Sequence, residues 1–301
     1  MRLVTFDAGD GPQPGELLGD QITPIEATSV RALLEHGKLK DLTTDAAQPV
    51  ARADVRLLPP VIDPEKIVCM GLNFHDHAKE AHQEVPQHPR WFAKFANSLI
   101  GDGAADIVLP PAHPEYVDYE AELAVVIGRR AHRVSEDDAF SYVAGAMSFN
   151  DVSARDLQLQ NPLWTSGKAI DTFAPCGPAL VTLDETGDLN DLRVRTRVNG
   201  ELLQDGNTKD MIFGVAETIA WLSRTMTLLP GDIIATGTPA GVGAFQNRFL
   251  RDGDVVEVEI GGLGVIPTRS GQRRAEPGSG IWRRQTSDRC CGSGADRARI
   301  P

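Results

Sequence analysis

Two glutamates two residues apart, Glu120 and Glu122 in the run YEAELAVVI, have a type and spacing that invite chemistry. On a strand, residues i and i+2 share a face. Two carboxylates side by side on a buried face repel, and neither stays ionised without a cation or a proton. The apolar run LAVVIG that follows marks the strand as buried. Asp118 has the same parity and is a rival for the same role. The plain alternative is an exposed strand edge with solvated acids. Asp151 closes a second apolar run, AGAMSFND, just ahead of the helix-like SARDLQLQ. A carboxylate there is placed to cap a helix or to bind a cation. A divalent ion and one lysine would neutralise Glu120, Glu122 and Asp151 together. Their all-oxygen donor set suits Mg²⁺, Mn²⁺ or Ca²⁺ and does not suit Zn²⁺.

His77 and Glu80 lie in GLNFHDHAKE at a spacing that puts both on one helix face. A carboxylate beside an imidazole orients it and raises its basicity, as a general base requires. Polar residues on a surface helix are the plain alternative, and His75, His82 and His88 are read that way. Lys168 follows Gly167 in WTSGKAIDTFAP. A lysine in so apolar a setting either pairs with an acid, for which Asp171 is the nearby candidate, or binds an anion. The loop ATGTPAGVG, Ala235 to Gly243, lacks the ending of a P-loop and the GxGxxG fingerprint. Its backbone N–H groups and the Thr238 hydroxyl are suited to cradling a carboxylate; a tight turn is the alternative.

The elements that must position these groups are mostly strands. KIVCMGLNF, WFAKFANSLIG, YEAELAVVIG, YVAGAMSFND, PALVTL, RVRTRV, GDIIATG and DVVEVEI read as strands, with Asn199-Gly200 as a hairpin turn. DHAKEAHQE reads as a short helix, and residues 211–226 give the clearest 3.6-residue period. Many strands and few helices argue for a β-rich α+β fold rather than alternating βαβ units. Prolines at 59, 60 and 64 mark a boundary, giving a small N-terminal module over 1–62 and a catalytic domain over 63–268. Residues 269–301 hold eight arginines against three acids with no periodicity, which reads as a disordered tail.

The chain has 301 residues and a net charge of −12, which disfavours nucleic acid as a partner. Cys69, Cys176, Cys290 and Cys291 have spacings unlike a disulfide framework and fit a reducing compartment. No apolar run at the N-terminus or elsewhere suggests a secretory signal or a membrane span, so a cytoplasmic protein is expected.

Taken in order, GLNFHDHAKE, DYEAELAVVIG, SFNDVSARDLQ, GKAIDTFAPCGP, VNGELLQDG and LLPGDIIATGTPAGVG resemble the fumarylacetoacetate hydrolase family from about Lys66 to Val265. The resemblance implies a mixed β-roll or distorted barrel core and a homodimer. It implies Mg²⁺ or Mn²⁺ at Glu120, Glu122 and Asp151, and no ligand at Asp118. It casts His77 and Glu80 as a lid-borne catalytic pair with Lys168, and Arg155, Gln158, Lys168 and Thr238 as binders of a small anionic 2-oxo acid. The expected reaction is hydrolysis of a C–C bond in an acylpyruvate- or fumarylpyruvate-type acid. A lyase or isomerase on the same substrates is the alternative: an oxaloacetate decarboxylase, a 2-oxo-enoate hydratase or a hydroxymuconate-type isomerase. Trp91, Phe92 and Trp164 are expected to face the variable end of the substrate. The segment between Val242 and Leu250 is shorter than in many family members, and the Arg-rich ending PTRSGQRRAEPG departs from the family's usual close.

Overall fold

The computed structural model describes residues 1–37, 39, 48–102, 106–110, 114–160 and 162–272. Its centre is a pair of antiparallel strands, Ala121–Ile127 and Val143–Asn150, in which every residue is buried. Their runs of Ala, Val, Leu, Ile and Phe are continuous rather than alternating, as expected of strands covered on both faces. Val143–Asn150 continues into Ala174–Thr182, and Ala121–Ile127 into Ile233–Ala235, both antiparallel. Ile233–Ala235 then pairs in parallel with Ile67–Gly71, and Arg90–Lys94 closes that edge. A second sheet of five strands includes Arg193–Val198, Val255–Ile260 and Gly264–Gln272. It packs on the first through a large apolar cluster that includes Val125, Val194, Val258 and Ile260. Mixed strand directions in two packed sheets and short helices make this a β-rich α+β fold.

The N-terminal strands Arg2–Asp7, Pro12–Leu18 and Gln21–Pro24 do not form a sheet of their own. Arg2–Asp7 pairs with Ala174–Thr182, which extends the main sheet to twelve strands. The C-terminal boundary also shifts. Arg269–Gln272, expected in the disordered tail, belong to the strand Gly264–Gln272, because Ser270–Gln272 pair with Ile107–Leu109. The remainder of the Arg-rich segment lies outside the described residues. The long helix expected over 211–226 is shorter, Val215–Ser223, because Met211 bridges to Phe74 and Gly214 precedes the first turn. Cys69 and Cys176 are buried and free. Among the described residues no helix is long and apolar enough to cross a membrane.

Candidate active site

The register of the two central strands creates the acidic centre. Ala121 lies opposite Asn150, so Glu120 and Asp151 sit side by side just beyond the paired residues. The Asp151 N–H donates to the Glu120 carbonyl at 2.9 Å, and the Glu120 N–H donates to Asn150 Oδ1 at 3.1 Å. Strand alternation brings Glu122 to the same face. One carboxylate oxygen from each of Glu120, Glu122 and Asp151 lies within 4.8 Å of the others, and all three residues are buried.

Three cations surround the acids. Lys168 Nζ donates to Glu120 Oε2 at 2.8 Å and to Asp151 Oδ2 at 2.7 Å. Arg155 reaches Glu120 Oε1 at 2.7 Å. Lys94, fully buried, donates to Asp151 Oδ1 at 2.6 Å and to the Val152 carbonyl at 3.1 Å. Burial alone would raise the Glu120 carboxyl, but Lys168 and Arg155 outweigh it and hold the group at about 2. Glu122 is pushed well above the ordinary carboxylate range, first by burial and then by the charges of Asp151 and Glu120. Its Oε2 accepts from the Gly237 N–H at 2.9 Å, while its Oε1 is buried without a hydrogen-bond partner. An orphaned buried carboxylate oxygen facing two other carboxylates suits a divalent cation with oxygen ligands, so this buried group could hold one.

A cavity of about 140 Å³ opens beside this group. Its walls include Glu120, Arg155, Gln158, Lys168 and Thr238, with His77 on the opposite element. The helix His75–Glu80 carries His77, whose Nδ1 lies 3.0 Å from Glu80 Oε2. An ionised carboxylate only accepts, so Nδ1 is the donor in this contact and Nε2 is the nitrogen left free of Glu80. Glu80 Oε1 accepts from the Gly241 N–H at 2.9 Å, which ties the helix to the glycine-rich loop. His75, His82 and His88 are exposed, and the His88 ring stacks on Trp221.

Several expectations change. Lys168 pairs with Glu120 and Asp151 rather than with Asp171, which accepts instead from Asn97. Three loop N–H groups in ATGTPAGVG cradle the protein's own carboxylates: Gly237 to Glu122, Gly241 to Glu80 and Gly243 to Asp118. Thr238 Oγ accepts from Gln204 Nε2 at 2.8 Å, so a buried glutamine fixes it at the cavity wall. Asp118 is buried but turned away from the acidic group, toward Arg155. Phe92 and Trp164 line the cavity, whereas Trp91 is 47% exposed on the other face of its strand. Gly71 lets Trp164 approach, since a Cβ there would meet the indole at 2.2 Å. Sequence reasoning missed Lys94 and Gln204. The signal for Lys94 was available: it shares strand parity with the inward-facing Phe92. Gln204 had no such signal, because its partners come from three separate segments.

A twelve-stranded mixed sheet bears a buried carboxylate triad that could hold a metal ion beside a small cavity, and comparison with known proteins places the chain in a family. The fumarylacetoacetate hydrolase C-terminal family matches residues 66–269, and the chain belongs to that family of enzymes. A mitochondrial oxaloacetate tautomerase of Homo sapiens is 48% identical over 285 residues, covering 88% of this chain and 90% of its own. A fumarylacetoacetate hydrolase from Exiguobacterium antarcticum is 35% identical with a TM-score of 0.82, covering 91% and 100% of the two chains. A 2-hydroxyhepta-2,4-diene-1,7-dioate isomerase from Mycobacterium marinum is 34% identical with a TM-score of 0.76, covering 91% and 99%.

Proposed function

We propose that this chain interconverts the keto and enol forms of a small 2-oxo diacid of the oxaloacetate type, with Mg²⁺ or Mn²⁺ bound by Glu120, Glu122 and Asp151. The observation that carries this reading is the shared cavity. His77, bonded to Glu80, lines the same cavity as Glu120, Arg155, Gln158, Lys168 and Thr238, which supports the reading. The names of the human tautomerase and the mycobacterial isomerase support isomerisation over the C–C hydrolysis expected from the sequence.

The bound cation would supply Lewis acidity toward the 2-oxo oxygen and offset negative charge there. The chain's own residues do the rest. Arg155, Gln158 and the Thr238 hydroxyl hold the substrate's carboxylates. His77 Nε2, oriented through Nδ1 by Glu80, takes a proton from C3. The C–H electron pair becomes the C2=C3 bond, the C2=O π pair moves onto oxygen, that oxygen takes a proton from solvent to complete the enol, and His77 returns its proton to solvent. The Lys168 ammonium stabilises negative charge developing on that oxygen. Run backward, the same steps return the keto form.

The test follows the enol absorbance of oxaloacetate with Mn²⁺ or Mg²⁺ present. His77→Ala should bind metal at the wild-type stoichiometry and lose roughly two to four orders of magnitude in rate. Wild-type rates in that variant would remove His77 from the chemistry. Hydrolysis of an acylpyruvate is the second reading, supported by the Exiguobacterium enzyme's name. Formation of pyruvate and a free acid from an acylpyruvate, with no effect on oxaloacetate enolisation, would favour it. The proposal extends to a cytoplasmic homodimer, although the human relative's name places that protein in mitochondria. A sedimentation mass near that of one chain would exclude the dimer.

A further inference from the structure

Asp118 is fully buried, shares the strand face logic of the metal ligands, and yet belongs to none of the steps above. Its carboxylate is saturated. Oδ1 accepts from the Tyr119 N–H at 2.8 Å and the Gly243 N–H at 2.7 Å. Oδ2 accepts from the Ala244 N–H at 2.9 Å and from Arg155 Nε at 2.8 Å, with Arg155 Nη2 2.7 Å away. The guanidinium is thus held on one edge by Asp118. Its remaining nitrogen, Nη1, points to Gln158 Oε1 at 3.0 Å and to Glu120 Oε1 at 2.7 Å, at the cavity. A planar guanidinium hydrogen-bonded to a buried carboxylate through Nε, with Nη2 in ion-pair contact with the same oxygen, has little rotational freedom left, so the direction of Nη1 is set.

The backbone around Asp118 is shaped for this contact. A Cβ on Gly243 would stand 2.6 Å from Asp118 Oδ1 and 2.0 Å from the Arg248 carbonyl, so only glycine admits the approach. Two residues further, Phe245 meets the His77 ring edge-on with centroids 5.8 Å apart. One carboxylate therefore fixes both Arg155 and the segment that carries Phe245 onto His77.

We propose that Asp118 is the positioning residue for Arg155, setting the guanidinium that receives an anionic oxygen of the substrate. The inference rests on the reading of the cavity as a 2-oxo acid site. Asp118 itself touches no substrate. In Asp118→Asn the amide oxygen can still accept from Tyr119 and Gly243, but the amide NH₂ then faces Arg155, donor against donor. The contacts of Tyr119 and Gly243 are kept, while those of Ala244 and Arg155 to the second oxygen are lost.

The probe is oxalate, an unreactive planar diacid, titrated calorimetrically into the Mn²⁺-loaded protein. Asp118→Asn should weaken oxalate roughly 10- to 100-fold, the scale of a charge-assisted hydrogen bond. Arg155→Ala should weaken it by a similar factor, and the double variant should bind about as Arg155→Ala alone. Effects that multiply would overturn the proposal, because Asp118 would then act independently of Arg155; so would wild-type affinity in Asp118→Asn. A purely structural role would lower Tm without this non-additivity. Arg155→Lys covers a failure of Asp118→Asn to fold. It keeps the charge and loses the planar Nε–H that Asp118 holds, so it should also weaken oxalate about tenfold, and wild-type affinity there would refute the positioning. Absence of oxalate binding to the wild type would instead refute the 2-oxo acid reading on which the inference stands.

Discussion

Replacing Glu122 by Gln should make the metal-free protein more stable while removing its response to metal. Glu122 Oε1 is buried with no partner, and one carboxylate oxygen each of Glu122, Glu120 and Asp151 lie within 4.8 Å of one another. An unsatisfied buried polar group costs about 1–3 kcal/mol, more when charged. Gln keeps an acceptor for the Gly237 N–H, offers an NH₂ that the neighbouring carboxylates can accept, and stays neutral without having to bind the proton that the raised Glu122 carboxyl takes up. In EDTA, Glu122→Gln should therefore gain about 1–3 kcal/mol, which is roughly 2–10 °C in Tm for a chain of this size. Wild type at roughly 100 times the metal Kd should gain about 2.7 kcal/mol from Mn²⁺, and the variant should lose most of that gain. The two proteins should thus change order when Mn²⁺ replaces EDTA in a thermal or urea titration. A variant less stable than wild type in EDTA would refute the reasoning about the orphaned oxygen. A variant with the full Mn²⁺ stabilisation would remove Glu122 from the ligand set.

Lys94→Met should cost about 3–5 kcal/mol in urea unfolding, because it strips Asp151 Oδ1 of a fully buried partner; a loss below about 1 kcal/mol would show that Lys168 alone suffices for Asp151. Gly71→Ala should displace the Trp164 indole, which would otherwise lie 2.2 Å from the new Cβ. Its kcat/KM on oxaloacetate should fall roughly 10- to 100-fold with an unchanged far-ultraviolet dichroism spectrum. Unchanged kinetics would mean the indole wall does not shape the site.

Much of the chemistry was legible because it is local. Parity placed Glu120 and Glu122 on one face, and the i, i+3 spacing placed Glu80 at His77, where the two meet at 3.0 Å. The strand core was legible in the same way, from unbroken apolar runs such as LAVVI. Lys168 was singled out correctly as a buried charge but given the wrong partner, because a sequence neighbour such as Asp171 has no privilege once strands pair. The glycine-rich loop was read as a ligand cradle, yet its N–H groups serve Glu122, Glu80 and Asp118. Backbone donors are filled by whichever acceptor the fold brings near, and a buried carboxylate competes strongly for them.

The amino-acid pattern alone marks a β-rich domain, two carboxylates on one strand face, and an imidazole with its own carboxylate at helical spacing. Periodicity and short-range spacing are enough for each of these, since one element's geometry decides which side chains share a face. Only the tertiary structure decided how the charges are matched. Lys94, Arg155 and Lys168 reach Glu120 and Asp151 from three separate segments. Glu122 Oε1 is left without a partner, and Asp118, of the right type and parity for a ligand, is turned to grip Arg155. Electrostatic pairing in a buried site depends on distances of a few ångströms between elements far apart in the chain, and strand register and packing set those distances.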